Sequence, residues 1–240
     1  MITGILFDFF GTLVAYSASR VAQGYDATYN LLRDNGVDLS YAAFLESWVA
    51  VSEALDHWSQ RTEREYSMEQ VATHFLSRVC PHHRSHTLPT QLWMSYVKEW
   101  SVTIRYIPGV RELLEELSAR CRLGVVTNTH DAPLIHTHLR ASGLAPYVGV
   151  VVTSVEHGRP KPHPNIFAAA LARLGCAAAS TLFVGDSYEA DYRGAKGAGM
   201  HAVLIAPSGA PHVPPHEVIG SILDVTTYLR SVAMASTQRR

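Results

Sequence analysis

The chain has 240 residues, 47% of them apolar and 17% charged, with a formal net charge of −1. That length can bury a substantial core, as one large domain or as a domain with an insert, while near-neutral charge without a basic block argues against nucleic acid as a partner. No apolar run approaches a membrane span, the N-terminus enters a strand without a signal-peptide pattern, and the scattered Cys80, Cys121 and Cys176 lack metal-ligand spacing, so a cytoplasmic protein with no membrane partner is expected.

The first predicted element is the apolar strand in "ILFDFFGTLV", Ile5 to Val14, which breaks into Gly-Thr straight after a carboxylate. Asp8 stands where that strand runs out, flanked by Phe7, Phe9 and Phe10. Residues 15–105 then show no clear strand. "DATYNLLRDNG", "YAAFLESWVAVSEALDHW" and "LPTQLWMSYVKEW" have the spacing of amphipathic helices, so this stretch reads as an inserted helical domain. Its Trp48, Trp58, Trp93, Tyr96 and Trp100 are expected to pack those helices together rather than to form a ligand surface. The "HHRSH" run from His82 to His86 follows Pro81, contains no acid or cysteine, and reads as a solvated loop rather than a metal site.

"YIPGV", from Tyr106, reads as the return hinge, and from there strands and helices alternate. "VRELLEELSARC" has helical periodicity and "LGVVTNT" is a short strand with a polar end; Asp131 and Pro133 open the next helix, which runs through "LIHTHLRASG". "YVGVVVTS" is a strand, "HPNIFAAALARLG" a helix from near Pro164 to Gly175, "STLFVGDS" a strand ending at Asp186, "DYRGAKGAG" a short helix and "HAVLIAP" a strand. Such alternation predicts an α/β fold: a parallel sheet with helices on both faces. Ligands of these sheets bind at the carboxyl ends of the strands. Asp8, Thr127 and Asp186 all stand at such ends and should converge. The final Gln238-Arg239-Arg240 reads as a frayed tail.

Four stretches in this order, "DFFGTL" at Asp8, "VVTNT" at Thr127, "GRPKPHPNIF" at Lys161 and "FVGDSYEADYRGAKGAGM" at Asp186, resemble the haloacid dehalogenase superfamily of hydrolases. The resemblance covers essentially the whole chain. It implies a Rossmann-like catalytic core formed by residues 1–14 and 106–240, with residues 15–105 as a helical cap inserted after the first motif. For phosphotransferring members it implies that Asp8 is the nucleophile, forming an aspartyl-phosphate. It further implies Mg²⁺ held by Asp8, Asp186 and the backbone carbonyl of Phe10, with Asp191 as a further ligand or a supporting acid. Lys161, one of only three lysines beside Lys98 and Lys196, would offset the remaining negative charge. Thr127, with Asn128, would donate to the transferring phosphoryl oxygens, and Thr12, which supports the turn, would join them and Lys161 in binding the substrate. Independently of family, three converging carboxylates repel strongly unless a cation neutralises them.

Phe10 departs from the pattern of the family's phosphatases, which carry a second aspartate two residues after the nucleophile. That aspartate protonates the leaving oxygen and then activates water. Phenylalanine can do neither, and general acid–base help is typically worth about 10²–10⁴ in rate. His57 or Glu53 from the helical insert could substitute. Leaving groups that need no proton, such as acyl or aryl phosphates or a phosphonate carbanion, would escape the deficit. An aromatic residue here also matches the family's metal-independent 2-haloacid dehalogenases, which hold the substrate carboxylate with an arginine, for which Arg20 and Arg33 are available. Those enzymes lack the Gly-Asp that this chain keeps as Gly185-Asp186. The expected activity is therefore metal-dependent hydrolysis of a small phosphorylated metabolite. The alternatives are dehalogenation, or a catalytically silent member that binds a phosphorylated ligand.

Overall fold

The computed structural model describes residues 1–17, 19, 23–82 and 84–237. Arg20, His83 and the tail from Gln238 lie outside the described residues. The chain divides into two compact units, Met1–Ala15 with Tyr106–Arg240, and Tyr16–Arg105.

In chain order, β1 (Gly4–Phe7) and β2 (Val14–Ala15) precede the helical unit. That unit contains, among the described residues, α1 (Asp26–Asp34), α2 (Tyr41–Thr62), α3 (Met68–Val79) and α4 (Leu88–Ser101). Three of these coincide with the amphipathic stretches read from the sequence; α3 is additional. It is opened by a capping box, in which the Ser67 hydroxyl accepts from the Gln70 N–H while the Gln70 side chain accepts from the Ser67 N–H. Its Val71, Ala72, Phe75 and Leu76 turn inward. The N-terminus of α1 is capped from a distance. Glu99 of α4 accepts from the N–H groups of Ala27 (2.8 Å) and Thr28 (3.0 Å) and from the Thr28 hydroxyl (2.6 Å), placing negative charge where the helix has unsatisfied donors. The aromatic residues form the interior: Tyr96 stacks on Tyr25 with centroids 4.4 Å apart, and Trp48 lies 4.4 Å from Tyr96. Trp58, Trp93 and Trp100 pack half-buried against this cluster.

After β3 (Arg105–Tyr106) the sheet unit resumes with α5 (Val110–Ser118), β4 (Arg122–Thr127), α6 (Ala132–Ala141), β5 (Val150–Thr153), α7 (Ser154–His157) and α8 (Pro164–Leu174). It continues through β6 (Thr181–Gly185), a π-helical turn over Tyr188–Arg193, α9 (Gly194–Gly197), β7 (His201–Ile205), β8 (Val218–Ile219) and α10 (Val225–Thr237). Among the described residues the sheet has six strands in the order β5-β4-β1-β6-β7-β8, and the pairs in it are parallel. All four residues of β1 and all five of β6 are buried, which is why these strands read as unbroken apolar runs rather than as alternation. One hydrophobic cluster joins Leu6, Val126, Val152 and Phe183 of the strands to Ile166, Phe167 and Ala170 of α8.

The chain runs from β4 outward to β5 and then crosses back to β6 on the other side of β1. That reversal creates the crevice in which doubly wound sheets bind ligands. Where the sequence suggests a plain short helix after Asp186, the structure has the wide π turn followed by α9. The difference has a local cause: the Ser187 hydroxyl accepts from the Ala190 N–H, and the Asp191 carboxylate bends back to accept from the Ser187 N–H at 2.9 Å.

Candidate active site

The carboxyl ends of β1, β4 and β6 bring three of the motifs together within the sheet unit, and the loop between α7 and α8 brings the fourth, with Lys161. Register makes this unavoidable, because Phe7 pairs with Val125 on one side and Val184 on the other, so Asp8, Thr127 and Asp186 leave the sheet at nearly the same level. The Asp8 N–H still bonds to the Val184 carbonyl (2.9 Å), tying the acid to the sheet. The chain then turns sharply, with the Leu13 N–H donating to the Phe9 carbonyl at 2.9 Å.

Carboxylate oxygens of Asp8, Asp186 and Asp191 lie within 4.8 Å of one another. Lys161 reaches into this cluster, its Nζ donating to Asp8 Oδ1 at 2.7 Å and to Asp191 Oδ1 at 2.6 Å. The same ammonium stands 5.3 Å from the centre of the Phe183 ring on β6. Burial works against the Lys161 charge, but Asp191 and Asp8 outweigh it and hold the ammonium above its ordinary pKa. Burial pushes the Asp191 carboxyl up to about 6, even with Lys161 beside it. Asp186 is the exposed member of the three, yet the protein packed around it and the Asp8 charge still raise its carboxyl. One ammonium against three acids leaves the cluster short of positive charge.

Two glycines permit this crowding. Gly11 has φ +79°, and a Cβ there would lie 2.2 Å from Asp186 Oδ2; a Cβ at Gly185 would lie 2.3 Å from Asp191 Oδ2. Each acid packs against backbone that only glycine leaves open. Their place in the motifs was visible in the sequence, but the carboxylates they accommodate were not.

The remaining residues take distinct positions. Thr12 is buried, and its hydroxyl donates to Asp186 Oδ1 at 3.4 Å. Thr127 is buried at the end of β4, in register with Thr153 of β5. The Asn128 amide is engaged with the Lys161 backbone: its Nδ2 donates to the Lys161 carbonyl (2.9 Å) and its Oδ1 accepts from the Lys161 N–H (2.7 Å). Phe10 is half-buried, edge-on to the buried Phe9 ring at 5.1 Å. His57 Nδ1 lies 2.9 Å from the Glu53 carbonyl within α2, and Arg33 is in the last turn of α1.

An all-oxygen donor set with surplus negative charge suits a hard divalent cation, and Asp8, Asp186 and Asp191 are the residues that could hold it. A carboxylate held at one oxygen by an ammonium can present its other oxygen as a nucleophile.

Residues 2–199 match the haloacid dehalogenase-like hydrolase family. The ribulose-1,5-bisphosphate 5-phosphatase of Halopiger xanaduensis is 29% identical over 219 residues, which cover 87% of this chain and 86% of that protein. The phosphoglycolate phosphatase of Yersinia pseudotuberculosis is 29% identical over 209 residues, covering 84% and 80%. Among solved structures, a 2-haloacid dehalogenase from Pseudomonas syringae pv. Tomato shares the fold with a TM-score of 0.74 at 24% identity, over 96% of this chain and 99% of that one. The HAD-hydrolase YfnB of Bacillus subtilis, bound to magnesium, gives a TM-score of 0.63 at 20% identity, over 95% and 99%.

Proposed function

Because the chain belongs to the haloacid dehalogenase-like hydrolase family, we propose that it is a cytoplasmic, Mg²⁺-dependent phosphohydrolase acting on a small phosphorylated metabolite. The observation that carries this reading is the cluster of Asp8, Asp186 and Asp191 around the buried Lys161 ammonium. Two relatives that align along most of the chain are named as phosphatases, which points the same way. A dehalogenase that works without metal has no need of such a concentration of acid.

In this mechanism Lys161 holds Asp8 Oδ1, and Oδ2 attacks phosphorus. The bond from phosphorus to the leaving oxygen breaks, and Asp8 carries an acyl phosphate. Water then attacks that phosphorus, regenerating the Asp8 carboxylate and releasing inorganic phosphate. Asp8, Asp186, Asp191 and the Phe10 carbonyl would hold Mg²⁺, which when bound neutralises charge on the phosphoryl oxygens. The Thr127 hydroxyl donates to one of those oxygens. Asn128 serves by fixing the Lys161 backbone, a positioning role that its two hydrogen bonds support. Thr12 orients Asp186. Phe10 supplies no proton, so leaving groups that depart as stable anions are favoured. Substrate selection is assigned to the helical unit, residues 16–105, as a cap.

A second reading, 2-haloacid dehalogenation, is favoured by Phe10 alone. One screen separates the two: aryl, acyl and alkyl phosphates, phosphonates and 2-chloropropionate, each with Mg²⁺ or EDTA, on wild type and Asp8→Asn. Mg²⁺-dependent phosphate release that disappears in Asp8→Asn is expected. Halide release in EDTA without any phosphatase activity would overturn the proposal.

A further inference from the structure

The wide turn that carries Asp191 is secured from outside the four motifs. Tyr192, the next residue, donates its phenolic hydroxyl to Glu217 Oε2, and Lys196 donates to Glu217 Oε1 at 2.6 Å. One carboxylate therefore grips two side chains four residues apart, one on the π turn and one on α9. The Lys196 ammonium also stands 5.5 Å from the centre of the Tyr192 ring, and Tyr188 stacks on Tyr192 at 5.8 Å. Glu217 ends a short 3-10 turn, Pro215–Glu217, directly before β8, whose Val218 and Ile219 pair with Leu204 and Ile205 of β7. The grip is thus anchored in the sheet. The Glu217 side chain is 16% exposed, while that of Lys196 reaches further into solvent at 36%.

We infer that Glu217 is a positioning residue of the acidic site, acting through Tyr192 and Lys196 to fix the rotation of the turn that presents Asp191. Successive residues of a helical turn point to different sides of its axis, so holding Tyr192 on Glu217 leaves its neighbour Asp191 directed at Lys161, which donates to it at 2.6 Å. A π turn is rare, occurs mostly as a single turn and is frequent at functional sites, and a change in its rotation here would move Asp191. Little rotation is tolerable, because Asp191 Oδ2 already occupies the space beside Gly185 that a Cβ would need. Nothing in the motif at Asp186 announces the contact, since Glu217 lies beyond β7 in the chain.

The inference rests on the reading of Asp191 as part of a cation-binding set, and its test separates the two. Mn²⁺ affinity is measured by electron paramagnetic resonance on the full chain, beside thermal unfolding, for wild type, Glu217→Ala, Glu217→Gln, Tyr192→Phe and Asp186→Asn. Groups that orient metal ligands typically contribute about 10–100-fold in affinity. Glu217→Ala is expected to weaken Mn²⁺ about tenfold, with Glu217→Gln closer to wild type because an acceptor for Tyr192 remains, and Tyr192→Phe in between. Unchanged Mn²⁺ affinity in both Glu217→Ala and Tyr192→Phe, whatever their Tm, would overturn the positioning role, while weakened Mn²⁺ binding in Asp186→Asn would still support the cation site. Absence of Mn²⁺ binding in wild type would overturn both.

Discussion

Replacing Lys161 with methionine removes the one ammonium inside the acidic cluster while keeping most of the side-chain volume. The affected groups are shielded from solvent, with side-chain exposures of 2% for Lys161, 11% for Asp8 and 1% for Asp191, so the interaction is poorly screened. Two unit charges 4.8 Å apart, the span of the cluster, repel by about 3 kcal/mol at an effective dielectric of about 20. Breaking a buried ion pair typically costs about 3–5 kcal/mol, in agreement with that figure. At about 2–4 °C per kcal/mol for a domain of this size, the expected fall in Tm is roughly 10 °C at pH 8.

The pH dependence gives the sign. With Lys161 present, Asp191 titrates at about 6 against 3.8 in the unfolded chain, so the folded state binds more protons between those values and loses stability as pH rises through them. Without Lys161 the folded pKa moves higher still. The penalty of Lys161→Met should therefore grow from pH 5 to pH 8, because at pH 5 Asp191 escapes by binding a proton. Millimolar Mg²⁺ should raise the Tm of the variant more than that of wild type at pH 8, since it replaces the lost cation. Thermal unfolding followed by circular dichroism at both pH values, with Mg²⁺ and with EDTA, reads all of this. Equal losses at pH 5 and pH 8, or no loss, would refute the claim that Lys161 acts by neutralising these acids.

Phe10→Asp should accelerate hydrolysis of alkyl phosphates much more than that of para-nitrophenyl phosphate, whose phenolate leaves unaided; steady-state rates on a matched substrate pair measure the ratio, and an equal effect on both would count against a missing proton shuttle. The Mg²⁺-induced rise in wild-type Tm should increase from pH 5 to pH 7.5, because burial raises the carboxyls of Asp191 and Asp186 and cation binding requires their ionised forms. Differential scanning fluorimetry across a pH series tests it, and a flat profile would contradict it. Gly11→Ala combines a left-handed φ, costing about 1–2 kcal/mol, with a Cβ 2.2 Å from Asp186 Oδ2. It should lower both Tm and Mn²⁺ affinity, measured by calorimetry and titration, and wild-type affinity would mean that Asp186 does not contribute to the cation site.

Much of the sheet unit was legible in the chain because local rules agreed with the tertiary result. Strands buried on both faces must be apolar throughout, helices between them must be amphipathic, and a polar residue ending such a strand has few places to go except the ligand-binding edge. Asp8, Thr127 and Asp186 were therefore identifiable together. The helix Met68–Val79 is absent from the elements that periodicity predicts although its capping box is written in Ser67 and Gln70, and the two-residue strand Val218–Ile219 carries too short a pattern to recognise. Other features depend on contacts between distant parts of the chain. The commitment of the Asn128 amide to the Lys161 backbone, the closeness of Asp186 to Gly11 and of Asp191 to Gly185, and the hold of Glu217 on Tyr192 and Lys196 are set by how strands and loops are arranged in space. Periodicity reports which face of an element is buried; it does not report which polar atom waits on the far side of a loop. The types of residue in this site were thus determined along the chain, whereas their pairing, and the pKa values that follow from it, were decided only when the sheet brought separate loops within hydrogen-bonding distance.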